Sequence, residues 1–181
     1  GRPLAFERIV PHSDGAGVID AVGDGVPAAR LGERVWILNG QWQRALGTAA
    51  ESIVLPAQQA VRLPDNIDFA AAACLGIPAM TAFHAVAVAE AWAGSTLMIS
   101  GGAGAVGNYA IQFAKARGAV VITTVSSDEK AALARSGELA AGIAHEMRNG
   151  LATILGYARL IERGADDAGS AAAAVREECE T

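Results

Sequence analysis

The chain has 181 residues, 52% of them hydrophobic and 18% charged, with a formal net charge of −5. This length fits one domain or two small ones, and an acidic balance without a long basic run gives nucleic-acid binding no electrostatic support. Cys74 and Cys179 stand far apart without a C-x-x-C, so no disulfide framework or zinc finger is expected. With no secretory leader ahead of Gly1, that cysteine usage predicts a cytoplasmic protein. Residues 69–89 are long and poorly charged, but Gly76, Pro78 and His84 interrupt them, which argues against a membrane span.

Residues 1–10 define no element. The alternation of Val18-Ile19-Asp20-Ala21-Val22-Gly23 predicts a first strand, followed by the turn Asp24-Gly25-Val26-Pro27. Glu33-Arg34-Val35-Trp36-Ile37-Leu38 predicts a second, ended by Asn39-Gly40. Residues 49–55 give a third strand before Pro56, and residues 60–63 a fourth before Pro64-Asp65-Asn66. From Ile67 the pattern turns helical. Asp68 is placed to cap a helix over 69–75, and a second helix is predicted over 81–92, after Pro78.

Residues 96–117 organise the rest. Leu97-Met98-Ile99 has the length of a buried parallel strand. Gly101-Gly102-Ala103-Gly104-Ala105-Val106-Gly107 follows, with G-x-G-x-x-G at Gly102, Gly104 and Gly107. Ala110, Ile111, Phe113 and Ala114 then recur at helical spacing, and a second apolar run spans 119–125. Strand, glycine turn, helix and strand in this order are the context that a dinucleotide-binding reading of the motif requires. The glycines would allow a tight turn, close approach of a pyrophosphate, and close helix–strand packing, with the helix N-terminus facing the phosphates. A Gly/Ala-rich turn of some other α/β protein is the plainer alternative.

Residues 10–135 resemble the zinc-independent medium-chain reductases of the NADPH:quinone oxidoreductase (zeta-crystallin-like) family. The resemblance lies in His12-Ser13-Asp14-Gly15-Ala16-Gly17-Val18, Gly32-Glu33-Arg34-Val35-Trp36, Gly47-Thr48-Ala49-Ala50-Glu51, Leu63-Pro64, residues 72–82 and the glycine loop. It implies a GroES-like β domain followed by a Rossmann domain, each represented in part. The cofactor is argued from the second strand, which ends Thr123-Thr124-Val125-Ser126-Ser127 without the acid that would hold an NAD ribose. Ser126, Ser127 and Lys130 can instead meet a ribose 2′-phosphate, and the similar reductases bind NADPH in this stretch. NADPH is therefore expected on Gly101, Gly102, Ala103, Gly104, Ala105, Val106, Gly107, Ser126, Ser127 and Lys130. Asp128 keeps NAD open, and Lys130 also reads as a solvated helix residue beside Asp128 and Glu129.

No metal site is expected. Zinc-dependent relatives carry Gly-His-Glu where this chain has Pro11-His12-Ser13, and no cysteine cluster is present. His12 reads better as a turn or strand-end residue. The chemistry would be direct hydride transfer to a small quinone or enone, with the protein orienting the cofactor. Asn39 is a candidate polar contact at the nicotinamide side, although a turn residue before Gly40 explains it better. Trp36 and Trp42 could line a flat aromatic pocket or simply pack.

Residues 137–160, including Gly142-Ile143-Ala144-His145-Glu146-Met147-Arg148-Asn149, are similar to the phosphoacceptor helix of sensor histidine kinases. Leu139, Ile143, Met147, Leu151, Ile154, Ala158 and Ile161 form one apolar stripe, with His145 and Asn149 off it on the outer face. The kinase resemblance implies that His145 accepts a phosphoryl group, Glu146 acts as base and Asn149 assists. Gly150 departs from the proline usual there. The resemblance also implies a four-helix homodimer and a kinase catalytic domain acting in trans, while packing of the stripe on the β-α-β unit stays open.

The expected fold is thus α/β. It comprises a partial GroES-like β domain over 1–66, a partial Rossmann NADP-binding domain over 67–135, and a phosphoacceptor helical hairpin over 136–181. Three functions follow: NADPH-dependent quinone or enone reduction, a phosphorelay module in signal transduction, or a fusion with no activity alone.

Overall fold

The computed structural model describes residues 6–135 apart from Ala91. The hairpin expected over 136–181, with His145, Glu146 and Asn149, lies outside the described residues.

The first module is an antiparallel sheet of β1 (Gly15–Val18), β2 (Arg34–Ile37) and β3 (Ala60–Arg62), in that spatial order. Ala16 lies opposite Trp36, which in turn lies opposite Val61. The central β2 buries Val35, Trp36 and Ile37 in succession, so it reads as a continuous apolar run rather than an alternating one. Two arginines tie the surrounding loops to this sheet by satisfying backbone carbonyls. Arg30 donates to the oxygens of Ala57 and Ala60 and pairs with Glu33. Arg34 donates to Pro64 and Ile67 and lies over the Phe69 ring at 4.6 Å.

Two strand expectations are corrected. The first strand covers Gly15–Val18, not 18–23. Pairing continues only as far as Ile19, whose N–H donates to Glu33 while Gly32 donates back to Ile19. The chain then leaves toward a turn with Gly25 at φ +79°. Residues 49–55 form no strand, and Val54 is 94% exposed.

The helical part begins with α1 (Phe69–Ala72), where the Asp68 carboxylate accepts the Ala71 N–H at 2.7 Å as expected of an N-cap. It is shorter than 69–75, and α2 (Gly76–Val88) starts before Pro78 rather than after it. Pro78 occupies the first turn, where a missing N–H leaves no intrahelical bond unmade. β4 (Thr96–Ile99) and β5 (Val120–Thr123) then pair in parallel, with Met98 opposite Ile122. Their crossover is α3 (Ala105–Ala116), which buries Ala110, Ile111, Phe113 and Ala114. α4 (Asp128–Arg135) follows β5.

α2 packs on α3, and its Ala79, Ala82 and Val86 are buried. The Phe83 ring meets Phe113 edge-on at 5.6 Å, and the Arg117 guanidinium lies over Phe83. Burial of these side chains contributes about 25 cal/mol per Å² of apolar surface removed from water. The opposite sheet face leaves Met98, Val120 and Ile122 exposed. Among the described residues, no helix is long and apolar enough to cross a membrane.

Candidate functional site

The site is built at the carboxyl ends of β4 and β5, where an open parallel sheet places its ligands. β4 exits through Gly101, whose φ of +69° belongs to the left-handed region and favours glycine. The tight-turn position therefore falls one residue ahead of the G-x-G-x-x-G count. Gly102 presses against the neighbouring strand. A Cβ there would meet the Thr123 hydroxyl, Ile111 Cδ1 at 2.8 Å and Thr123 Cγ2 at 2.9 Å. Gly107 lets α3 begin beneath the Gly101 carbonyl, since a Cβ there would meet the Gly101 carbonyl carbon at 2.9 Å. Gly104 differs from both. Its Cβ would meet only the Gly101 oxygen, at 3.3 Å, so a ligand has room to approach.

The loop is held from β5. The Gly101 N–H donates to Thr124 Oγ1 at 3.1 Å, and the Gly102 N–H donates to the Thr124 carbonyl at 3.2 Å. Thr123 Oγ1 donates to Ile99 at 2.7 Å, and the Gly104 N–H closes the turn on Gly101 at 2.9 Å. Neither threonine was singled out as a loop brace from sequence; their adjacency at the strand tip was the available signal. The first bond within α3 runs from Asn108 N–H to Gly104. The amides of Ala105, Val106 and Gly107 precede it and have no acceptor inside the helix. Those amides, with the positive end of the helix dipole, suit a phosphate.

At the adjacent tip, Lys130 Nζ lies 2.8 Å from Ser126 Oγ, and the Lys130 N–H donates to Ser127 Oγ at 3.2 Å. Ser127 thus caps α4, and the cap brings Lys130 back over Ser126. The structure places these three exposed side chains together at the end of β5. Asp128 and Glu129 occupy the first turn of α4.

The other candidates fall elsewhere. Asn39 adopts φ 51° and its carbonyl accepts from Trp42 N–H and Gln59 Nε2, which makes it a turn residue. Trp36 is only 3% exposed and belongs to the core, whereas Trp42 is 66% exposed. His12, at φ 73°, is an exposed turn residue whose carbonyl accepts the Thr48 N–H. Among the described residues, no group of three or more His, Cys, Asp or Glu could hold a metal ion.

This architecture is a GroES-like β domain joined to a Rossmann-type α/β unit, the fold of the medium-chain dehydrogenases and reductases. The alcohol dehydrogenase GroES-like domain family matches residues 2–65. Quinone oxidoreductase of Pseudomonas aeruginosa is 41% identical over 124 residues, covering 68% of this chain and 37% of that protein. The chain spans little more than a third of the length of the curated relatives it matches. A crystal structure of quinone oxidoreductase from Pseudomonas syringae pv. Tomato aligns with TM-score 0.65 and 38% identity, covering 75% of this chain and 41% of the other. Escherichia coli quinone oxidoreductase complexed with NADPH aligns with TM-score 0.56 and 30% identity, covering 68% and 37%.

These matches correct the kinase half of the sequence reading. They support a quinone-oxidoreductase-like chain and give no support to a fused phosphoacceptor region, a phosphorelay role or a kinase domain in trans. The physical reason is the weakness of the signal. The reading rested on a motif likeness over residues 137–160 together with one apolar stripe, and a stripe with a histidine off it is what any amphipathic helix pattern supplies. His145, Glu146 and Asn149 lie outside the described residues, so no geometry bears on the roles expected of them.

Proposed function

We propose that the chain carries the β domain and nucleotide-binding unit of a zinc-independent, NADPH-dependent quinone oxidoreductase, with the two parts meeting near residue 66. The carrying observation is the pairing of an open Gly104 with the Ser126–Lys130 contact at the next strand tip. In this reading the loop Gly101, Gly102, Ala103, Gly104, Ala105, Val106 and Gly107 receives the pyrophosphate. Ser126, Ser127 and Lys130 receive the ribose 2′-phosphate by charge-assisted hydrogen bonds. Bound NADPH would supply the hydride, and a small quinone or enone would accept it. The chain's own contribution is to bind and orient the cofactor. The family resemblance also carries a homodimer, which sedimentation tests, and a cytoplasmic setting, with which the free thiol of Cys74 agrees.

The test is a fluorescence titration of the chain with NADPH and with NADH, followed by a quinone-reduction assay read as loss of NADPH absorbance. Tighter binding of NADPH and quinone-dependent oxidation are expected. Equal binding of the two cofactors would remove the assignment of the strand tip, and absence of both bindings would remove the reductase reading.

A further inference from the structure

Between the β sheet and the nucleotide unit lies the corner that joins α1 to α2, residues 73–77. Asp14, one residue before β1, reaches this corner: its Oδ1 accepts the Ile77 N–H at 2.7 Å, across 63 positions of sequence. Leu75, the residue at the N-cap of α2, has no side chain able to do this. The cap is therefore supplied from the other module, and a carboxylate at a helix N-terminus is favoured by the dipole as well. Gly76 makes room, since a Cβ there would collide with the Asp14 carboxylate and come within 3.1 Å of the Ile37 carbonyl. Asp14 is itself fixed on the β side, where its carbonyl accepts Thr48 Oγ1 at 2.5 Å. From the opposite side Tyr109, in the second turn of α3, donates its hydroxyl to the Cys74 carbonyl at 3.3 Å and stacks on Phe113.

We infer that Asp14 is a positioning residue: by capping α2 across the module boundary, it sets the orientation of the β domain relative to α3 and the glycine loop. The orientation itself is a property of the chain. Its consequence for catalysis rests on the proposed reductase reading, because hydride transfer needs the acceptor and the cofactor held in one geometry. A cap on an isolated helix would affect only the stability of that helix. This one joins two modules whose relative pose decides where a substrate bound by one meets a cofactor bound by the other.

The full-length chain tests this by nuclear magnetic resonance without any ligand. Residual dipolar couplings are measured for the amides of β2 and β3 and for those of α3, alongside hydrogen exchange at Ile77. In the unsubstituted chain both sets are expected to fit one alignment tensor. Asp14→Ala should speed Ile77 exchange by about tenfold or more, the equilibrium equivalent of losing a charge-assisted hydrogen bond, and should lose the common tensor. Gly76→Ala, which displaces the carboxylate without removing it, should do the same, while Asp14→Asn, which keeps an acceptor oxygen, should restore the single tensor. These two variants decide the matter if Asp14→Ala does not fold. Unchanged Ile77 exchange, or one tensor retained in both Asp14→Ala and Gly76→Ala, would overturn the inference. Failure to bind NADPH would count against the reductase reading alone, since the tensor and exchange results do not depend on it.

Discussion

Replacing Gly102 by alanine places a methyl group against Ile111 Cδ1 at 2.8 Å and Thr123 Cγ2 at 2.9 Å, and against the Thr123 hydroxyl. Nothing there yields cheaply, because Thr123 is held by its hydrogen bond to Ile99 and Ile111 is buried. Overpacking of a filled site costs about 1–3 kcal/mol, and displacing the Thr123 hydroxyl from its partner adds about 1 kcal/mol. The expected loss of about 2–4 kcal/mol is a large part of the ~5–15 kcal/mol that stabilises an ordinary domain. Gly104→Ala is the matched comparison. Its backbone, at φ −79° and ψ 161°, admits alanine, and a Cβ there meets one atom at 3.3 Å. Losing glycine at an N-cap costs about 0.5–1 kcal/mol. The methyl group would nevertheless stand where a pyrophosphate must come close, and disrupting one charge-assisted contact there weakens NADPH about tenfold or more. Urea denaturation followed by circular dichroism reads the first effect, and NADPH titration reads the second. The reasoning fails if Gly102→Ala unfolds at the same urea concentration as the unsubstituted chain. It fails equally if Gly104→Ala binds NADPH unchanged.

Lys130→Ala should weaken NADPH by roughly five- to tenfold, the effect of removing one exposed cation from a phosphate, and leave NADH unaltered; parallel titrations check this. Burial pushes the Tyr109 phenol above its ordinary 10.0, with Cys74 and Asp14 adding to the rise. The folded state then holds that proton more tightly than the unfolded chain. This stability is whole below pH 10 and is lost as pH rises through the folded value. Tyr109→Phe should accordingly show a shallower alkaline decline in melting temperature, and a decline of equal slope would exclude Tyr109 as its source. Elemental analysis after dialysis should find no stoichiometric zinc, because no group of three or more His, Cys, Asp or Glu among the described residues could hold the ion.

What could be read in the sequence divides along local and distant effects. The glycine loop was legible because its flanks carry the three-residue apolar run Leu97-Met98-Ile99 on one side and helical spacing on the other, and both signals are local. Asp68 was legible as a cap for the same reason. The run over 49–55 was misread because strand pairing is settled elsewhere. Its apolar residues find no buried face there, and Val54 is 94% exposed. Pro78 suggested a helix start after it, whereas the proline sits comfortably in the first turn of α2. Asp14 looked like part of a family motif, and its contact with Ile77 could not be seen from either segment alone. His145 belongs to a region outside the described residues, where a local motif likeness met no support from the matched relatives.

The bracing of the loop bears on how a cofactor would bind. Gly101 and Gly102 give their N–H groups to Thr124, and Gly104 gives its own back to Gly101. These bonds shape the turn from within the protein, so its form follows from the pairing of β4 with β5 and needs no ligand to create it. The amides of Ala105, Val106 and Gly107 are left for something outside the helix. A loop fixed beforehand spares a ligand the conformational entropy of ordering it, roughly 1–2 kcal/mol for each backbone residue already held. The tip at Ser126 and Lys130 is less constrained. Its residues are exposed, and the lysine is held by one contact from its own side chain and one from its backbone. On the proposed reading the two halves of the site would therefore contribute differently: the glycine loop would supply a rigid seat for a pyrophosphate, and the strand tip an adjustable cation that distinguishes a phosphorylated ribose from a plain one.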